Sequence, residues 1–171
     1  MILYYKSNSK VNMEPSSTMH LIRLHGIIDE PMANRFIERF TSFPSGDGVA
    51  IHIESIGGDL AQAWKITQLI EQRKHELEIV TIGYRNVHSA ALHILIAGTY
   101  RFGQECTQYL IHLPEPDGTE QGRKSVAFMR EHEITFFAEK LKKPKGVILE
   151  LMERKTYLTS VQAQMLGITN F

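Results

Sequence analysis

A lone cysteine, Cys106, leaves this chain of 171 residues without a partner for an internal disulfide. The fold is therefore expected to hold without an oxidising compartment, and the chain reads as cytoplasmic. Surplus charge of either sign is also missing: Lys+Arg and Asp+Glu stand at 19 each, for a formal net charge of zero. Domains that hold nucleic acid by neutralising phosphates carry a basic surplus on one face, so that partner class is set aside. No apolar run approaches the roughly 20 residues of a membrane span. The longest, Ala90 to Gly98, is broken by His93. Met1 to Ser17 turns polar after Tyr5 and lacks the apolar stretch of a secretory signal, so neither export nor membrane insertion is expected. Phosphate loops of the two common glycine spacings are absent, and the eight histidines show no H-E-x-x-H or Cys–His ligand spacing. Nucleotide, metal and other cofactors are not expected.

What is present is an ordinary core-forming composition, 43% hydrophobic and 22% charged, in a length that suits one domain. Residues 1–18 end in the polar KSNSKVNMEPSST and read as a mobile arm, leaving 19–171 as the single domain. Strand and helix signals then alternate. HLIRLHG reads as a strand, and Asp29 caps a helix from Glu30 to about Phe43 with Pro31 near its first position. VAIHIES alternates apolar and polar residues and stops at Gly57-Gly58; a helix follows from about Leu60 to Arg73. EIVTIGY leads through RNVH to Ser89 and the apolar helix AALHILIA, which Gly98 ends. Phe102 and QYLIHL supply further strands, with Cys106 among them as a small buried hydrophobe. Val126, Met129, Ile134, Phe137 and Leu141 recur at helical spacing, which predicts a long amphipathic helix ended by KKPKG. Short helices around VILELMERK and SVQAQML close an α/β layered domain.

Two strand ends have the form an acyl-transfer site needs. Ser55-Ile56-Gly57-Gly58-Asp59 and Val87-His88-Ser89-Ala90-Ala91 each run from a strand into a helix. A serine at the start of a buried helix gains from the positive end of the helix dipole, which favours charge developing on a substrate oxygen. Glycines let backbone N–H groups come close to that oxygen. In Tyr109-Leu110-Ile111-His112-Leu113-Pro114 a histidine ends an otherwise apolar strand, within reach of the serine if the layers bring them together. His88 and His93 are expected in the core or at an interface.

The order of these segments resembles the Clp protease proteolytic subunit (ClpP) from about Leu21 to Phe171. LHGIIDEPMAN is similar to that family's opening strand and helix, IESIGGDLAQA to its glycine-pair loop, and NVHSAALHILIAG to its nucleophile segment. YLIHLP is similar to its histidine strand and YLTSVQAQMLGI to its final segment. The resemblance implies a ClpP/crotonase-like fold of repeated β-β-α units in a layered superhelical domain, with a shortened long (handle) helix. It implies a serine endopeptidase acting on extended polypeptides inside an oligomeric ring, a heptamer that can stack as a tetradecamer and can be served by an ATPase unfoldase. Ser89 falls on the nucleophile, His112 on the general base, and the N–H groups of Gly58 and Ala90 on the oxyanion hole. Gly57, Asp59, Leu113, Gly118 and Gly122 fall beside the substrate groove, where a peptide adds as a strand.

At the family's aspartate position stands Lys155. An orienting carboxylate fixes the imidazole tautomer, and its loss costs on the order of 10⁴ in turnover in the best-studied serine protease. Glu153, or no acid at all, is the favoured reading, with Glu150 as another and Asp117 and Glu115 available if the loop after His112 folds back; Lys155 itself becomes a base only if buried. A ring subunit that has lost catalysis and keeps a structural or binding role is therefore an alternative. An acyl-CoA enzyme of the related crotonase fold is a third.

Overall fold

The computed structural model describes residues 18–115 and 120–171. The arm expected over residues 1–18 thus lies, but for Thr18, outside the described residues. Thr18 itself is tied down, its N–H donating to the Asp47 carboxylate at 3.1 Å.

Strand β1 (Met19–His25) leads into helix α1 (Glu30–Thr41), whose start is set by the Asp29 side chain accepting from Met32 N–H at 2.8 Å. Strand β2 (Gly48–Ser55) and helix α2 (Leu60–Arg73) repeat the unit, with Asp59 as cap. Strand β3 (Glu78–His88) runs into helix α3 (Ala90–Ala97), followed by strands β4 (Tyr100–Gly103) and β5 (Gln108–Ile111). Helix α4 (Glu120–Leu141), helix α5 (Lys145–Glu153), strand β6 (Thr156–Leu158) and helix α6 (Ser160–Leu166) complete the chain. The sheet runs β1-β2-β3-β5-β6, with β4 also pairing β3, and all pairs are parallel except β5 with β6.

Two irregularities position the site. Between Ile53 and Ser55 of β2 the register advances from Gly83 to Val87 on β3, so extra residues bulge out around Arg85, which takes a positive φ of 46°. The bulge splits β3: Val80 to Gly83 pair with β4, and Asn86 to His88 pair with β5. The second half therefore delivers His88 and Ser89 alongside the end of β5, where His112 follows. The antiparallel β5–β6 pairing then sets Ile111 opposite Thr156, so the next residues outward are His112 on one strand and Lys155 on the other.

Helix α3 is buried along its whole length. Its Leu92, Ile94, Leu95 and Ile96 lie in one core with Ile51, Ile53, Ile66, Ile70 and Ile79, and each such side chain contributes about 1.5–3 kcal/mol. The stripe expected on α4 is partly confirmed, with Ile134, Phe137 and Leu141 buried. Lys142, at φ 53°, and Pro144 end α4 before α5. Two expectations need correction, and one strand went unread. Helix α1 stops at Thr41 because Ser42 closes onto the Arg39 carbonyl. Cys106 is exposed, since Glu105-Cys106 forms the turn between β4 and β5 rather than part of a strand. Strand β6, three residues long, carries no apolar alternation that marks it in the sequence.

Candidate active site

Ser89 sits in the turn from β3 to α3 with φ 55° and ψ −125°, a region that costs a non-glycine residue about 1–3 kcal/mol. Its side chain makes no capping hydrogen bond to α3, which leaves the hydroxyl available. The turn is held by Ser89 N–H donating to the Leu110 carbonyl at 2.8 Å. Beneath it packs Gly57, at φ 95°, so closely that a β-carbon there would lie 2.9 Å from Ser89 Cβ. At Gly58, φ 147°, a β-carbon would meet the Ile28 carbonyl oxygen at 2.4 Å. Both positions therefore exclude larger residues.

The imidazole of His112 lies across from this turn, its Nε2 2.8 Å from Ser89 Oγ. The two residues are 23 positions apart in the chain, and the β3–β5 pairing brings them together. They share a cavity of about 260 Å³ whose lining also includes Gly58 and Ala90. Ala90 opens α3, so its N–H has no acceptor within the helix. Gly58 N–H takes no part in the hydrogen bonds of its loop, which run from Ile28 N–H to the Gly57 carbonyl and from Asp59 N–H to the Ile28 carbonyl. Gly58 and Ala90 thus both stand on the wall of the cavity that Ser89 and His112 share.

The other ring nitrogen, His112 Nδ1, is buried without a hydrogen-bond partner among the described residues. The carboxylate facing it is Glu115, with Oε1 3.8 Å away. Lys155 Nζ holds that same oxygen at 3.0 Å and, together with the nearby His112, keeps the Glu115 carboxyl below the usual carboxylate range. Glu153, the favoured orienting acid from sequence, pairs instead with Arg130, and Glu150 pairs with Arg154. The chain after β5 does fold back toward Lys155, the condition on which Glu115 was a candidate. Asp117 lies outside the described residues. Lys155 is more than half exposed, so the burial that a lysine base requires is absent.

Of the expected groove residues, Gly57 is buried under the turn, and Asp59 spends its carboxylate on the Ala61 and Gln62 N–H groups that open α2. Leu113 packs against the core, while its neighbour Pro114 lines the cavity. Gly118 lies outside the described residues. Gly122 falls in the first turn of α4 and not in an extended edge, because the helix begins at Glu120.

The model of the Clp protease family matches residues 9–170. The chain belongs to the Clp protease family. Among solved structures it is similar to ClpP1 from Listeria monocytogenes, at 26% identity over 88% of each chain with a TM-score of 0.79. An Asn-to-Asp mutant of that ClpP1 matches at 26% identity over 88% of this chain and 89% of that one, with a TM-score of 0.80. The mixed sheet with its six helices is accordingly the ClpP fold, and the family makes the chain a serine-type peptidase by descent. Among the described residues no helix is long and apolar enough to cross a membrane.

Sequence reasoning missed one element of this Clp protease site. The cavity wall includes Glu133 and His93, both nearly fully buried, with Glu133 Oε2 2.6 Å from His93 Nε2. A signal was available: Met129, Glu133 and Phe137 fall at successive four-residue steps, which puts a carboxylate inside the apolar stripe of α4.

Proposed function

We propose that this protein is a ClpP-like serine endopeptidase in which Ser89 is the nucleophile and His112 the general base. The observation that carries the reading is the 2.8 Å contact between His112 Nε2 and Ser89 Oγ at the edge of a cavity able to take a substrate side chain. Ser89 attacks the peptide carbonyl as His112 accepts its proton. The N–H groups of Gly58 and Ala90 stabilise the oxyanion, and His112 returns the proton to the leaving amine before water releases the acyl group. Glu115, held by Lys155, takes the orienting role expected of Glu153: in the Michaelis complex its carboxylate closes on His112 Nδ1 and fixes the tautomer. The substrate is extended polypeptide, cleaved in the cytoplasm inside a heptameric ring that an ATPase unfoldase serves.

Fluorophosphonate labelling of the assembled protein tests this reading. Labelling at Ser89, lost in Ser89→Ala, is the expected result, and absence of any adduct on the assembled protein overturns it. A second reading, a ring subunit with impaired catalysis, is favoured by one observation: His112 Nδ1 has no hydrogen bond, and Glu115 is beyond bonding distance of it. Hydrolysis of a peptide by the pure homo-oligomer excludes that reading.

A further inference from the structure

The cavity beside Ser89 is small. At about 260 Å³ it falls below the roughly 300–1,000 Å³ of pockets that take whole small molecules. Its volume suits one amino-acid side chain, that of a residue beside the scissile bond. Leu92, Ile111, Met129 and Phe137 give it apolar walls, while His93 and Glu133 place polar groups among them.

The side chains of His93 and Glu133 are only 3% and 4% exposed. Burying a carboxylate is costly unless it is hydrogen-bonded. Glu133 has two such bonds: Oε1 accepts from Trp64 Nε1 at 3.0 Å, and Oε2 meets His93 Nε2 at 2.6 Å. An ionised carboxylate offers about four acceptor sites, so two remain unused. His93 is held in place by Phe136, stacked on it at 5.3 Å, and by the edge of Trp64. Its Nδ1 is buried with no partner. Among the described residues lining the cavity there is no lysine or arginine to occupy the remaining acceptor sites of Glu133, and Glu115 near the mouth is already paired with Lys155.

We propose that this pocket selects a cationic side chain, lysine or arginine, on the residue whose carbonyl Ser89 attacks, and that Glu133 determines the selection. The aliphatic stem of such a side chain runs along Leu92, Met129 and Phe137, and its head donates to the unused acceptor sites of Glu133. The proposal rests on Ser89 being the nucleophile.

Two peptidyl phosphonate probes that differ only in carrying lysine or leucine at that residue test it on the assembled protein. The lysine probe is expected to modify Ser89 about tenfold faster or more, the scale of one charge-assisted hydrogen bond, and Glu133→Gln is expected to erase most of that ratio. Equal or reversed rates in the unaltered protein overturn the proposal without any variant, so a folding defect in Glu133→Gln does not shelter it. An unchanged ratio in a folded Glu133→Gln protein overturns it as well. If a fluorophosphonate without a peptide also leaves Ser89 unmodified, the failure belongs to the assignment of the nucleophile. If the fluorophosphonate reacts and the lysine preference is missing, it belongs to this proposal alone.

Discussion

Two histidine–glutamate pairs border one cavity, and they are built in opposite ways. His93 and Glu133 form a closed contact at 2.6 Å, buried and backed by Trp64. His112 and Glu115 stand 3.8 Å apart at the rim, the glutamate two-thirds exposed and its charge shared with Lys155. The first pair has the geometry of a fixed element, its carboxylate anchored on one oxygen by Trp64 and on the other by His93. The second has the geometry of a working element: among the described residues His112 hydrogen-bonds the serine hydroxyl, and Glu115 stands close enough to approach its far nitrogen as the ring takes up a proton. A buried pair holds shape and charge, whereas an open pair can change its bonding during a reaction.

The sharpest way to break this contrast is to remove one glutamate from each pair. Glu115→Gln is expected to lower kcat/KM toward peptides by up to about 10⁴, the cost of losing an orienting carboxylate, and to lower the thermal midpoint only slightly. Glu133→Ala is expected to lower stability by roughly 3–5 kcal/mol, because it strands a buried histidine and an indole N–H. Denaturant unfolding and steady-state kinetics on both variants check the pair of outcomes. Similar losses of stability in the two would erase the distinction.

Histidines outside the two pairs give a smaller effect. Burial holds His88 below the usual histidine range, against a hydrogen bond to Gln108 that raises it, and the nearby His112 lowers it further. His52 is lowered by burial and then by Arg23. The unfolded chain takes up protons at these positions below about pH 6.5, where the native state resists them. Their contribution to stability is thus full above that pH and declines as pH falls. Unfolding midpoints measured from pH 8 to 5 are expected to drop, less steeply in His88→Gln.

The smallest effect concerns the rim alone. Lys155 keeps the Glu115 carboxyl low, so Glu115 contributes stability that is present above about pH 4.3 and lost on further acidification. Lys155→Met is expected to raise the Glu115 titration, seen by carboxylate NMR, and to flatten that acid loss. An unmoved titration would show that Lys155 does not hold this carboxylate.

Much of the frame was legible from residues because local and tertiary preferences agree there. Asp29 and Asp59 cap the helices that their positions announce, and α2 and α3 have the bounds that periodicity and Gly98 indicate. Ser89 and His112 were legible as candidates because each ends an apolar strand. What was only half legible depends on chain reversal. Glu115 was a candidate on the condition that the segment after β5 turns back, as it does beside the α5–β6 junction, whereas linear order favoured Glu153, which Arg130 engages. Strand β6 is too short to carry a pattern. Glu133 was overlooked because a charged residue within a helix is ordinarily solvated, and only the packing of α4 against α3 and Trp64 puts it in the cavity wall.

The central claim is that Ser89 owes its reactivity to His112, and it is tested most directly by the rate at which a fluorophosphonate modifies folded protein with and without that imidazole. The account predicts a single adduct on Ser89 in the unaltered chain and a rate at least about 10³ lower in His112→Ala. Equal rates in the two proteins, or an adduct on another residue, would contradict it.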